Sequence, residues 1–196
     1  MNKDKASSWD AVRRLRETPF VVLDTETTGL LQPEMVSIAI VGDSGETLIN
    51  EIVKPAKPIE PGASRISGLT DDVVAHRPEF PTIESELTRL LSGRRVVIYN
   101  AAFDTQVLAN TYARYGFALP EFEPWCAMEW FAELNGDWDA RRQSYRWQSL
   151  AKAATYFGIE QAQAHDALDD CLTTWRILQA AWERSQNRVA GMDPLF

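Results

Sequence analysis

The strongest constraint on this chain lies at residues 20–30, where the unbroken apolar run Phe20-Val21-Val22-Leu23 leads straight into Asp24-Thr25-Glu26-Thr27-Thr28-Gly29-Leu30. A short apolar run without polar alternation predicts a strand covered on both faces. Such a strand needs a packed layer on each side, and that restricts the fold to a sheet flanked by helices. In a strand, side chains two apart share a face, so Asp24 and Glu26 converge at the end of this one. Ionised carboxylates brought together beside an apolar core cost several kcal/mol each, so they share a proton or bind cations. Oxygen donors alone suit magnesium or manganese. The same pair equally suits a strand that ends in solvent or caps the next turn.

The rest of the chain supplies the layers. Residues 9–16 place Trp9, Val12, Leu15 and Arg16 on one helical stripe that braces the first strand. Residues 35–42 and 46–53 read as strands joined by a turn at Gly42-Asp43-Ser44-Gly45, giving three antiparallel strands in succession. Pro55, Pro58, Pro61 and Gly62 predict an irregular stretch, and Thr70 caps a short helix through Val73 and Val74. A helix over 82–91 stops at Gly93, before a strand at 96–99 and a helix over 101–115 with Asn100 as its N-cap. Pro120 and Pro124 predict a loop, and helices follow at 129–134 and 149–157. Composition does not decide the order of the Arg- and Trp-rich stretch 135–147 between them. A last helix over 166–184 carries Leu168, Leu172, Trp175, Leu178 and Trp182 as its apolar stripe, followed by a polar tail. The sum is a mixed α/β sheet domain.

Composition narrows the class further. With 196 residues, 45% hydrophobic, 10 Gly and 10 Pro, the chain suits one globular domain and neither a disordered nor a collagenous one. Its apolar runs are far shorter than the roughly 20 residues that span a bilayer, and residues 1–10 lack the apolar core of a secretory signal. A cytoplasmic protein without a membrane partner is expected. Cys126 and Cys171 lie far apart without zinc spacing and read as free core thiols. The net charge of −8 disfavours a polyanion ligand, unless some of those carboxylates hold divalent cations and reverse the local field.

Two further acidic positions stand out. Asp104 follows the apolar strand in Tyr99-Asn100-Ala101-Ala102-Phe103-Asp104, in the first turn of a helix, where an acid also simply complements the helix dipole. His165-Asp166-Ala167-Leu168-Asp169-Asp170 opens the last helix, with Asp166 and Asp169 arranged like an acidic capping box. At about 100° per residue Asp170 falls roughly 200° from Leu168, off the predicted stripe and free to face a site. All three aspartates also read as ordinary helix-start acids. His76, the other histidine, reads as a solvated loop residue.

In combination the pieces are specific. D-x-E-T-T-G-L on a strand, N-A-A-F-D at a strand-to-helix junction and H-x4-D entering a late helix resemble the DEDD exonuclease superfamily in its DEDDh branch. The similarity is greatest to the DnaQ-like type, that of the proofreading subunit of bacterial DNA polymerase, and spans roughly residues 19–184. Residues 1–18 are then an N-terminal helical extension and 185–196 a C-terminal tail. The resemblance implies a ribonuclease H-like fold, a mixed five-stranded sheet flanked by helices. It implies that Asp24, Glu26, Asp104 and Asp170 hold two Mg2+ or Mn2+ ions and that His165 is the general base of phosphodiester hydrolysis. It implies action at the 3′ end of DNA, single-stranded or frayed, with release of nucleoside 5′-monophosphates. Thr25, Thr27, Leu30, Ser67, Asn100 and Phe103 are the implied substrate contacts, with Glu26 also meeting the terminal hydroxyl. The same superfamily includes exoribonucleases, and a noncatalytic nucleic-acid-binding module on the same scaffold is the rival of another class.

Three positions depart from the family pattern. Tyr99 stands where many relatives carry His, a position read as peripheral. Ser67, in Ser67-Gly68-Leu69-Thr70, replaces a histidine, and Cys126 begins Cys-Ala-Met where Asp-Thr is common. Basic candidates for a strand path are Arg65, Arg141, Arg142 and Arg146, interleaved with Trp138, Tyr145 and Trp147. Asp137 and Asp139 beside them equally suggest a solvated, acid-paired loop. The terminal Leu195-Phe196 faintly resembles a sliding-clamp peptide, through which a polymerase or clamp would dock; packing on the protein's own surface is the simpler expectation.

Overall fold

A computed structural model describes residues 3–162 and 164–189 of the chain. The run at 20–23 opens β1 (Phe20–Thr27), the centre of a five-stranded sheet ordered β3-β2-β1-β4-β5. β2 (Met35–Gly42) pairs antiparallel with β1, and β3 (Thr47–Ile52) antiparallel with β2. The turn between them bonds Gly45 N to Gly42 O at 3.0 Å. Gly45 has φ +91, and a methyl there would press on the ring of Trp175, so no other residue fits. β4 (Arg95–Ile98) runs parallel to β1, and β5 (Glu123–Cys126) parallel to β4. The architecture is the α/β, ribonuclease H-like arrangement of a mixed sheet between helices.

The period of two sorts β1 between two cores. Phe20 and Val22 join the cluster under α1 (Lys3–Leu15), α6 (Ala127–Asn135), α7 (Leu150–Phe157) and α8 (Ala167–Val189). Val21 and Leu23 join the opposite cluster under α4 (Glu84–Leu91) and α5 (Ala101–Arg114). The sheet is therefore dry on both sides, as an unalternating apolar strand requires. Trp9, Val12 and Leu15 of α1 are buried in the first cluster, and Trp130 Nε1 donates to Ser8 O at 2.9 Å.

Several elements differ from expectation. Pro61 does not prolong an irregular stretch but occupies the first turn of α2 (Pro61–Ser67), where a missing N–H costs nothing; Gly68, at φ +75, closes that helix. Thr70 does cap α3 (Asp71–Val74), accepting from Val73 N. Pro124 lies in β5 rather than in a loop. Glu123 N donates inward to Arg94 O at 2.9 Å, so Pro124 faces the open edge, where no ladder donor is needed. Residues 135–147 contain a small hairpin of β6 (Trp138–Asp139) and β7 (Ser144–Tyr145), with the Trp138 and Tyr145 rings 5.1 Å apart.

The last helix also departs from its predicted stripe. Ala167, Asp170, Cys171, Thr174, Ile177, Leu178, Ala181 and Ser185 face inward, while Leu168, Leu172, Trp175 and Trp182 cover the flank half-buried. Small residues let α8 approach the sheet, so bulk was a poor guide to the buried face. The helix continues past residue 184 to Val189, since nothing before Gly191 breaks it. Cys171 is buried as expected, whereas Cys126 is only half-buried. No helix among the described residues is long and apolar enough to cross a membrane. The terminal Leu195-Phe196 lies outside the described residues.

Candidate active site

The site forms where β1 outruns its parallel neighbour. β4 pairs with β1 only as far as Leu23↔Ile98, after which the chain turns through Tyr99 and Asn100 into α5. Beyond Leu23 the β4-side edge of β1 is open, and the first turn of α5 fills it. Thr25 N and Thr25 Oγ1 both donate to Asp104 Oδ1, at 3.1 and 2.7 Å. A ladder bond is thus replaced by a carboxylate, which fixes one oxygen of the buried Asp104.

Asp24 and Glu26, on the alternate parity of β1, face the side where α8 packs, and Asp170 meets them from its first turn. His165 precedes α8 on an exposed loop, in the left-handed conformation at φ +62. Its N–H donates to Asp170 Oδ2 at 3.3 Å, and Gln161 Nε2 donates to Asp170 Oδ1 at 2.6 Å. Asp166 caps the helix as expected, its carboxylate accepting from Asp169 N at 3.0 Å. Ligand atoms of Glu26, His165 and Asp170 all lie within 4.8 Å of one another.

Electrostatics mark this cluster. Burial, followed by the charges of Asp104, Asp170 and Glu26, pushes the Asp24 carboxyl well above the usual range. Burial, then Asp170 and Asp104, pushes Glu26 up to about 8. Burial raises Asp104 to about 6 against the two Thr25 bonds that favour its ionised form. Asp170 is also raised, by burial, with the Gln161 bond opposing the rise. Like charges in a poorly hydrated place take up protons unless cations replace them. Four carboxylates from β1, α5 and α8 are the oxygen donor set that magnesium or manganese prefers, so the residues fit such ions.

The five residues line one cleft of about 460 Å³. Thr25, Thr27, Leu30, Asn100 and Phe103 line it with them, and Leu30 is 83% exposed at the mouth. Ser67 does not. Its hydroxyl donates to Ala63 O at 3.1 Å and it lines a separate recess behind Glu26 and His165, together with Asn50 and Arg77. Asn100 does not cap α5 with its side chain; at ψ 70 the backbone is not extended, so the amide stays exposed to the cleft.

Other residues in the cleft escaped the sequence analysis. Tyr99 is not peripheral: it is buried in the cleft wall, and its hydroxyl donates to Gln148 O and Ser149 O at 3.0 and 2.9 Å, tying the start of α7 to the site. Its place at the end of a buried strand was the available signal. Glu60, Gly62, Ala63 and Ile66 arrive on α2 and the residue before it, a helix that the prolines concealed. Gly29 has φ +151, a conformation that favours glycine, and the Glu60 carboxylate lies against it. In the hairpin, Arg146 pairs with Asp137 and Asp139, and Asp139 accepts from Arg141 N and Arg142 N, which favours the acid-paired loop.

The profile of the RNase T-type exonuclease family matches residues 21–178. An uncharacterized exonuclease, CP81, of Escherichia phage 186 is 34% identical over 188 residues, which is 92% of this chain and 96% of the relative. The DNA polymerase III epsilon subunit of Treponema pallidum is 30% identical over 159 residues, 77% of this chain and 70% of that one. The solved structure of exonuclease X with 5′-overhanging duplex DNA is similar at a TM-score of 0.61 and 25% identity, covering 88% of this chain and 93% of its own. With the family profile lying across the strand, helix and loop that assemble the cleft, the chain belongs to the exonuclease family, in its DEDDh, DnaQ-like form, and is a nuclease.

Proposed function

We propose that this nuclease removes nucleotides from the 3′ end of DNA, preferring single strands or frayed termini, and releases nucleoside 5′-monophosphates. The observation that carries the proposal is the meeting of Asp24, Glu26, Asp104 and Asp170 with His165 in one cleft, at carboxyls held partly protonated by burial and mutual repulsion. These four acids would hold two Mg2+ or Mn2+ ions, which supply positive charge for the phosphate oxygens and acidify a bound water. His165 stands at the solvent-exposed side of the cluster, where its imidazole accepts the proton of the attacking water. Attack at phosphorus breaks its bond to the 3′ oxygen of the shortened strand, and the 5′-phosphate leaves with the freed nucleotide. Thr25, Thr27 and Asn100 offer polar groups to the terminal sugar, with Glu26 beside them to accept from its hydroxyl. Leu30 and Phe103 give apolar faces on which any terminal base stacks.

DNA is favoured by the D-x-E-T-T-G-L strand, whose resemblance is to proofreading exonucleases, and by the DNA held by exonuclease X, 25% identical to this chain. Two divalent ions would lower the formal charge of −8 to about −4, which suits contacts at a terminus better than binding along a polymer. Digestion of matched 5′-labelled DNA and RNA oligomers, single-stranded and duplex, tests the proposal. A 3′-shortening ladder on DNA that requires Mg2+ or Mn2+ is expected. A ladder that survives chelator, or one confined to RNA, would overturn it. Asp170→Ala should abolish turnover, and His165→Ala should slow it by about 10²- to 10⁴-fold.

A further inference from the structure

The two oxygens of Asp170 are both claimed by one loop. Gln161 Nε2 donates to Oδ1 at 2.6 Å, and His165 N donates to Oδ2 at 3.3 Å. Gln161 and His165 stand four residues apart in the segment between Gly158, which ends α7, and the start of α8. Between them they fasten that segment to a single carboxylate. An amide N–H pointed at a carboxylate is the one orientation in which this glutamine bonds it, since its carbonyl can only accept.

His165 needs such fastening. Its φ of +62 is a conformation that a residue with a Cβ adopts at a cost, and it persists only where neighbouring contacts hold it. Asp166 anchors the helix side of the loop through Asp169 N. On the other side, Gln161 ties the loop to the acidic cluster through Asp170. The half-buried Gln161 also restrains rotation of Asp170, whose carboxylate must face Glu26 for the two to share a cation.

We propose that Gln161 is a positioning residue: by holding Asp170 Oδ1 it orients that ligand and secures the loop that presents His165, and so sets how tightly the acidic cluster binds divalent cations. The inference rests on the reading of Asp170 as a cation ligand. Residues that orient a ligand through its second atom characteristically change metal affinity by about 10- to 100-fold when lost.

The test is Mn2+ binding to the full chain, free of nucleic acid, by calorimetry or by the loss of the free-ion EPR signal. The wild type, Gln161→Met, Gln161→Ala and Asp170→Ala are compared. Gln161→Met keeps the length and removes only the donor, so it guards against a collapse specific to the alanine variant. Both Gln161 variants should bind Mn2+ about 10-fold or more weakly. The His165 amide should exchange its hydrogen at least about 10-fold faster, as expected where a local contact is opened. In turnover, kcat should fall while KM for a DNA oligomer stays near the wild-type value. Mn2+ affinity within about twofold of the wild type in both variants would overturn the proposal, and so would unchanged protection of the His165 amide. If Asp170→Ala binds Mn2+ as the wild type does, the ligand assignment itself fails, which is distinguishable from failure of the Gln161 role.

Discussion

Tyr99 connects the end of a core strand to the wall of the cleft through one hydroxyl shared between two backbone carbonyls. Replacing it by phenylalanine keeps the ring's packing and strips both bonds, leaving the carbonyls of Gln148 and Ser149 short of a donor. Tyr99→Phe should therefore lower stability by about 1 to 3 kcal/mol, measured by urea denaturation. An unchanged midpoint would mean that water replaces the hydroxyl. The place of Tyr99 at the end of a buried strand is a local signal, but its acceptors are backbone atoms about fifty positions away, so its partners were not legible. The same holds for Asp104. Its place in the first turn of a helix after a strand was legible, and only its partner, Thr25, was not.

At the level of elements, the edge strand β5 shows how a proline can belong to a sheet. Pro124 faces outward and denies a ladder donor to any strand that approaches, while the neighbouring Glu123 holds Arg95 at 3.1 Å. Pro124→Val should leave the fold intact and restore an open N–H on this edge. The expected result is concentration-dependent association in analytical ultracentrifugation, and a variant that remains as monodisperse as the wild type would contradict it. Strands β1 to β3 and the turn at 42–45 were legible because apolar periodicity and glycine chemistry are local signals. The helix at Pro61–Ser67 and the strand at Glu123–Cys126 were not, because in sequence alone a proline signals an interruption. At a first helical turn and on an open edge its missing donor is no loss. In α8 small residues and Asp170 share the buried face with Ile177 and Leu178, so of the expected apolar stripe Leu178 alone faces inward and the bulkier members cover the flank.

For the molecule as a whole, the acidic cluster links folding to pH. Glu26 is raised to about 8 and Asp104 to about 6, with Asp24 and Asp170 raised as well, so between about pH 4 and 8 the folded chain without cations binds more protons than the unfolded one. Stability gained from the protonated carboxyls is full below the unfolded carboxylate range and is lost as pH rises through the folded values. The melting temperature in chelator should fall from pH 5 to pH 8 by calorimetry. Saturating Mg2+ should reverse much of that fall, with its largest stabilising effect at the alkaline end, because ions compete there with fewer protons. A melting temperature independent of both pH and Mg2+ would show that the carboxyls do not interact as their positions require.

The order of motifs along the chain, the doubly covered central strand and the acidic residues themselves were determined by the sequence alone, since each depends on periods of two or 3.6 residues and on the chemistry of single side chains. The tertiary structure decided which oxygen each acid leaves free, which helix face is buried and which distant backbone atoms close the cleft. Those outcomes depend on where β4 stops beside β1 and on how closely α8 approaches the sheet, and both are set by packing between segments that lie far apart in the chain.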